Sequence, residues 1–142
     1  MSLLVDGGSP MTNSDTTLQD RLDRGRLVLD EMLGPETAAE TVAHWQTICP
    51  EFGDYVTEFL AGEIWSRQGL DRRTRSLISI AALASLGRTR ALELNLQFAI
   101  NNGASRRDIV EALLQIAPYA GFPVTWDALA RLEQVCPRND DC

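Results

Sequence analysis

The sequence predicts an all-α fold, a compact bundle of six or seven short helices. Three observations predict it. Apolar residues recur at helical spacing through successive stretches. Gly, Pro and Asn break those stretches at short intervals. No stretch alternates apolar and polar residues for long enough to make a strand. A chain of 142 residues that is 44% hydrophobic can bury a real core as one domain and does not read as disordered.

The elements follow in order. A first amphipathic helix is expected from Thr17 to Leu33, with Leu18, Leu22, Val28, Leu29 and Met32 facing inward. Gly34-Pro35 ends it, and Pro35 suits the first turn of a second helix over Glu36 to Thr47. Pro50 starts a third, which sets Phe52, Tyr55, Val56, Phe59 and Leu60 on one face and ends near Arg67. Asp71 is suited to cap a fourth. Its segment Leu77 to Ala84 is apolar nearly all round, as a helix buried on most sides must be. Gly87 interrupts. A fifth helix over Thr89 to Asn101 stops at Asn102-Gly103 through a left-handed turn. Ser105 and Asp108 form a capping pair for a sixth helix to about Tyr119, and Gly121-Phe122-Pro123 leads into a last one ending at Pro137. Residues 1–16 read as a flexible leader, 17–137 as a single helical domain and 138–142 as a tail.

Bulk properties exclude several classes. A formal net charge of −7 offers no basic face for nucleic acid. No apolar run is long enough to span a membrane. The cysteines Cys49, Cys136 and Cys142 are odd in number and form no CxxC pair, so neither a zinc knuckle nor a dithiol centre is written here. Reduced thiols in a cytoplasmic protein are the simplest expectation. A small chain with a helix apolar on all sides has excess surface to bury. Self-association would bury it at roughly 25 cal/mol per Å², so a homo-oligomer is expected.

The stretch from Gly62 to Pro123 carries the densest pattern. It holds Gly62-Glu63-Ile64-Trp65, then Leu70, Arg72, Arg75, Ser76 and Leu77 in a Leu-x-Arg-x-x-Arg-Ser-Leu arrangement, then Leu94-Asn95-Leu96-Gln97 and Tyr119-Ala120-Gly121-Phe122-Pro123. In order and spacing it resembles the carboxymuconolactone decarboxylase family, and the likeness runs from about Leu29 to Val135. The resemblance implies a helical homotrimer or homohexamer with pockets near subunit contacts. It implies a small-molecule substrate and no cofactor or metal. It also aligns a family histidine with Asn95, a family arginine with Gln97 and a family cysteine with Ala120. The alkylhydroperoxidase branch places its CxxC, histidine and glutamate at positions occupied here by Arg88, Ala91, Asn95 and Ser76. None of those four is retained, so thiol peroxidase chemistry is excluded.

The remaining candidates are assigned by chemistry. Glu63 is taken as a general base if apolar surroundings raise its pKa, against the alternative of a surface pair with Arg67 one turn on. Asn95 is taken as a donor to a developing oxyanion, and Tyr119 as a hydroxyl donor. Trp65, Arg72, Arg75, Gln97 and Trp126 are taken as substrate-binding residues, with Glu93 also available. Asn95 and Gln97 fall on different helix faces. Cations in the first turn of a helix are mildly unfavourable, which marks Arg72, Arg73 and Arg75 for ion pairs or anion contacts. His44, the single histidine, reads as a structural helix residue. Exchanging an ion-binding pair for two amides points to a less anionic substrate. The expected activity is decarboxylation, or enol-type cyclisation or isomerisation, of a lactone, keto acid or polyketide-like intermediate. A non-catalytic ligand binder and an ordinary 4-carboxymuconolactone decarboxylase are the alternatives.

Overall fold

Helix α1, Leu18–Leu33, begins where the sequence supplies a reciprocal cap. The Thr17 hydroxyl accepts from the Asp20 backbone N–H at 3.1 Å, and the Asp20 carboxylate accepts from the Thr17 N–H at 3.0 Å. The structure is a computed structural model that describes residues 17–139 and 142, so the expected leader lies outside the described residues. Gly34, at φ +81°, ends α1 and leads into α2, Pro35–Ile48. The next helix begins as α3, Pro50–Tyr55, and widens into a π-helical segment, Val56–Trp65. Helices α4 (Arg72–Ser85), α5 (Thr89–Asn101), α6 (Arg106–Ala120) and α7 (Phe122–Val135) complete the chain. No strand occurs among the described residues, and no helix among them is long and apolar enough to cross a membrane.

The caps fall where local chemistry puts them. Asp71 accepts from the Thr74 N–H at 2.8 Å and opens α4. Gly103 takes φ +90° after α5, the left-handed stop that Asn102-Gly103 predicts. Ser105 and Asp108 form a reciprocal cap on α6. Asp108 also receives the Arg73 guanidinium from α4 at 2.6 Å. The Arg73 hydrogen bond, with those from Ser105, lowers the Asp108 pKa to about 2.

Two cores meet at α5. Ile80, Leu92, Leu96, Ile109, Leu113 and Leu132 join α4 to α7. Val28, Leu29, Met32, Ala38, Ala61 and Phe98 join α1, α2, the π segment and α5. The second core depends on a backbone approach between α1 and the π segment. A Cβ on Gly25 would lie 1.8 Å from the Thr57 carbonyl oxygen, and one on Gly62 would lie 2.3 Å from that of Arg21. Only glycine fits at both places. The Gly62 carbonyl then accepts from Arg24 Nε at 2.6 Å and from the Ser66 hydroxyl at 2.7 Å. Side chains thus serve a carbonyl in the widened turn, where the ordinary ladder is disturbed.

Several expectations differ from what is observed. Leu18 is exposed at the first turn of α1, where the cap and not burial fixes the chain. Helix α4 buries Ile80 fully but leaves Ile78 exposed, so its apolar surface is only partly covered within one chain. Phe52, Tyr55, Phe59 and Leu60 are likewise exposed. Cys136 and Cys142 are joined in a disulfide, while Cys49 is free. Two of the three cysteines are therefore not the reduced thiols that the sequence leads one to expect.

Candidate functional site

A cavity of about 970 Å³ lies between α2, α3 and the π segment on one side and the start of α5 on the other. Its apolar lining includes Trp45, Phe52, Leu60, Trp65 and Phe98. Trp45 and Phe52 meet edge to face at 6.3 Å, which ties α2 to α3 along this wall. The polar lining is small: Glu40, Thr41 and His44 from α2, and Arg88, Thr89, Arg90 and Asn95 from α5 and its approach. An apolar cleft with a few converging polar groups is the usual form of a small-molecule site.

The start of α5 sets the electrostatics. Gly87, at φ +67°, turns the chain out of α4. Arg88 is then the N-cap residue, and no side chain caps the helix. The first-turn N–H groups are left for solvent or a ligand, and the helix end carries partial positive charge. Arg88 and Arg90 add two full charges there, and neither forms an ion pair among the described residues. Arg88 and Arg90 add to the positive end of the helix dipole, so this wall of the cavity is electropositive. It suits an anion. Glu40 is the one acidic group on the lining. Asn95, one turn deeper, donates from Nδ2 to the Ala91 carbonyl at 2.9 Å. Its second N–H and its Oδ1 stay available to the cavity.

The structure brings together only part of the expected site. Trp65 and Asn95 line the cavity. Glu63 does not. Its carboxylate accepts from Arg24 Nη2 at 2.8 Å and lies in a separate polar cleft of about 360 Å³ with Ser66, Arg67 and Gln68. The expectation that Glu63 and Asn95 share one cavity is therefore not met within the chain. The physical reason is the packing of α1 on the π segment, which delivers an arginine from a distant part of the sequence. The alternative local partner, Arg67, instead offers its backbone carbonyl to Arg75.

The other candidates are placed as follows. Arg72 pairs with Glu31 of α1. Arg75 donates to the carbonyls of Leu70 at 3.2 Å and Arg67 at 2.9 Å, clamping the loop before α4. Gln97 donates to Asn101 Oδ1 at 3.1 Å on the outer face of α5. Glu93 is held by Arg131 of α7 at 2.8 Å. Tyr119 and Trp126 are 83% and 76% exposed and do not line the cavity. Ser76 is fully buried and accepts from Asn102 Nδ2 at 2.9 Å.

Sequence reasoning missed His44, Arg88 and Arg90. His44 comes from α2 and meets α5 only through tertiary structure, so no local pattern points to it. Arg88 and Arg90 did carry a signal. The helix-dipole argument that marks Arg72 to Arg75 applies equally to them. Arg88 and Arg90 place positive charge on the cavity lining, whereas Gln97 lies outside it.

The model for the carboxymuconolactone decarboxylase family matches residues 50–134, and the chain belongs to that family. It is 34% identical over 117 residues to 4-carboxymuconolactone decarboxylase of Acinetobacter baylyi, covering 82% of this chain and 87% of the relative. It is 35% identical over 124 residues to nitrosuccinic acid decarboxylase npaB of Metarhizium robertsii, covering 85% and 84%. Arg88, Ala91 and Asn95, which the sequence resemblance sets opposite reactive positions of the alkylhydroperoxidase branch, all line the cavity.

Proposed function

We propose that the chain is a cofactor-free decarboxylase with an altered centre, and that the cavity at the start of α5 is where it works. The observation that carries this is the convergence of Arg88, Arg90 and Asn95 on one apolar cavity. Both named relatives are decarboxylases, and their names supply the substrate class. It is an organic acid whose carboxylate lies next to a group that can hold an electron pair, such as a lactone, keto or nitro group.

The chemistry follows from the walls. Loss of CO₂ leaves an electron pair on carbon, delocalised onto a neighbouring oxygen. Arg88, Arg90 and the uncapped amides of α5 hold the substrate's anionic groups, bidentately where the guanidinium fork permits. Asn95 donates its second N–H to the oxygen that gains charge, the kind of interaction that strengthens in the transition state. Once self-association closes the cavity, the apolar wall around Trp65 and Phe98 excludes water and raises the weight of each charge interaction. Glu63 is replaced in this scheme as the base, because Arg24 holds its carboxylate elsewhere.

Self-association belongs to the same reading. Phe52, which lines the cavity, is exposed, as are Tyr55 and Phe59 after it, and Tyr119, Phe122 and Trp126 are exposed where α6 meets α7. Covering them in a homotrimer or homohexamer would also close the cavity from solvent.

The test is CO₂ release from 4-carboxymuconolactone and from nitrosuccinate. Wild type should release CO₂ from at least one. Asn95→Ala should lower kcat about 100-fold, the usual cost of one oxyanion donor. Arg88→Ala should raise KM roughly tenfold, as expected for one charged hydrogen bond. No release from either acid, with binding retained, would leave a ligand-binding protein in place of an enzyme.

A further inference from the structure

Decarboxylation needs a proton as well as an electron sink, and the cavity holds one group suited to supply it. The new carbanion or enolate must be protonated at carbon before product leaves. Among the lining residues, the arginines do not give up protons in proteins. A carboxylate such as that of Glu40 accepts hydrogen bonds and has no proton to give. Asparagine and threonine do not exchange protons usefully near neutrality. His44 does.

We infer that His44, delivered from α2, is the general acid of this cavity and protonates the carbon that has lost CO₂. The inference rests on the decarboxylase reading above and goes further by naming the proton donor. The step balances. The bond between the α-carbon and the carboxylate breaks, its electron pair moves into the adjacent electron sink, and CO₂ departs. The pair then returns to form a new C–H bond with the proton from the imidazolium, and neutral His44 recovers a proton from solvent.

The placement supports this in three ways. His44 lines the same cavity as Asn95, from α2 and not from α5, so acid and oxyanion donor can address different parts of one substrate. Its imidazole makes no hydrogen bond among the described residues and is exposed on α2, so no structural partner accounts for it. It lies at residue 44, outside the segment 50–134 that the family model matches, so the assignment rests on the geometry of this chain. The charged groups facing it are Glu40 from its own helix and Arg88 and Arg90 from α5. The α3 and π-segment lining, which includes Phe52, Val56, Leu60 and Trp65, brings no titratable group.

The experiment combines binding and turnover on the full-length protein. His44 is the single histidine, so its ring protons can be followed by NMR without assignment. Succinate is the probe. On binding it should raise the pH at which the imidazole titrates, because a nearby anion favours the charged ring. The shift should vanish in the Arg88→Ala, Arg90→Ala double variant. In turnover, His44→Gln should bind succinate within threefold of wild type but lose about 100-fold or more in kcat, a typical worth of a general acid. Wild-type kcat should fall as pH rises through the imidazole titration, and His44→Gln should lose that dependence. Added imidazole should restore part of the activity of His44→Ala. Wild type that turns over with His44→Gln unchanged in kcat and pH profile would overturn the acid while leaving the decarboxylase standing. Wild type that releases no CO₂ would overturn both. An imidazole signal insensitive to bound succinate would overturn the placement.

Discussion

Gly25→Ala puts one methyl group into the backbone contact on which the cavity wall is built. Its Cβ would sit 1.8 Å from the Thr57 carbonyl oxygen and 2.9 Å from the carbonyl carbon. Real Cβ contacts stay beyond 3.0 Å, so α1 and the π segment must part by more than an ångström. Neither neighbour is a flexible side-chain end, and such overpacking costs about 1–3 kcal/mol. Alanine in a helix recovers about 0.5–1 kcal/mol through propensity. A rigid backbone clash sits at the upper end of the first range, so the net loss is about 2 kcal/mol. For a domain of this size that lowers Tm by roughly 5–12 °C. Gly69→Ala is the control, because nothing lies within 4 Å of a Cβ there. Its Tm should stay within about 2 °C of wild type, the reach of an ordinary surface substitution. Thermal melts followed by circular dichroism at matched concentration read both. A Gly25→Ala melt at or above that of wild type would refute the packing argument.

Three further predictions follow. Asp108 has its pKa depressed to about 2, so its contribution is present above its unfolded pKa and is lost as pH falls from about 4 toward 2. Asp20, Asp71 and Glu133 shift in the same direction, and Asp108→Asn should flatten the acid limb of a stability–pH curve without removing it. Thiol titration of unfolded protein should find one free cysteine before reduction and three after, with Cys49 the free one. Three free thiols without reductant would show that the Cys136–Cys142 bond does not form. Light scattering should give a mass of a trimer or larger, and Trp126→Glu, which charges an exposed apolar face, should lower it. A wild-type monomer would remove self-association from the account.

The helix ends were legible because their determinants are local. Asp71 with Thr74, Ser105 with Asp108, and Gly34 and Gly103 at positive φ act within a few residues, and each helix begins or ends where they say. The site was less legible because its determinants are not local. Glu63 has a sequence neighbour of the right charge in Arg67, yet the packing of α1 brings Arg24 to it instead. That packing turns on Gly25 and Gly62, two glycines 37 residues apart whose closeness no periodicity reveals. The π segment is invisible for the same reason, since its residues read as an ordinary amphipathic helix. At Arg88 the family resemblance points only to a missing thiol, whereas charge at an uncapped helix start is a signal in its own right. The apolar residues that periodicity turns inward but the structure leaves exposed, such as Phe52 and Phe59, mark surface that one chain alone does not cover.

The most direct test is a crystal structure of the Asn95→Ala protein soaked with whichever acid the wild type decarboxylates. The account predicts that acid in the cavity between α2 and α5, a carboxylate oxygen within hydrogen-bond reach of Arg88 or Arg90. Substrate bound instead in the cleft beside Arg24 and Glu63, with that cavity empty, would contradict it.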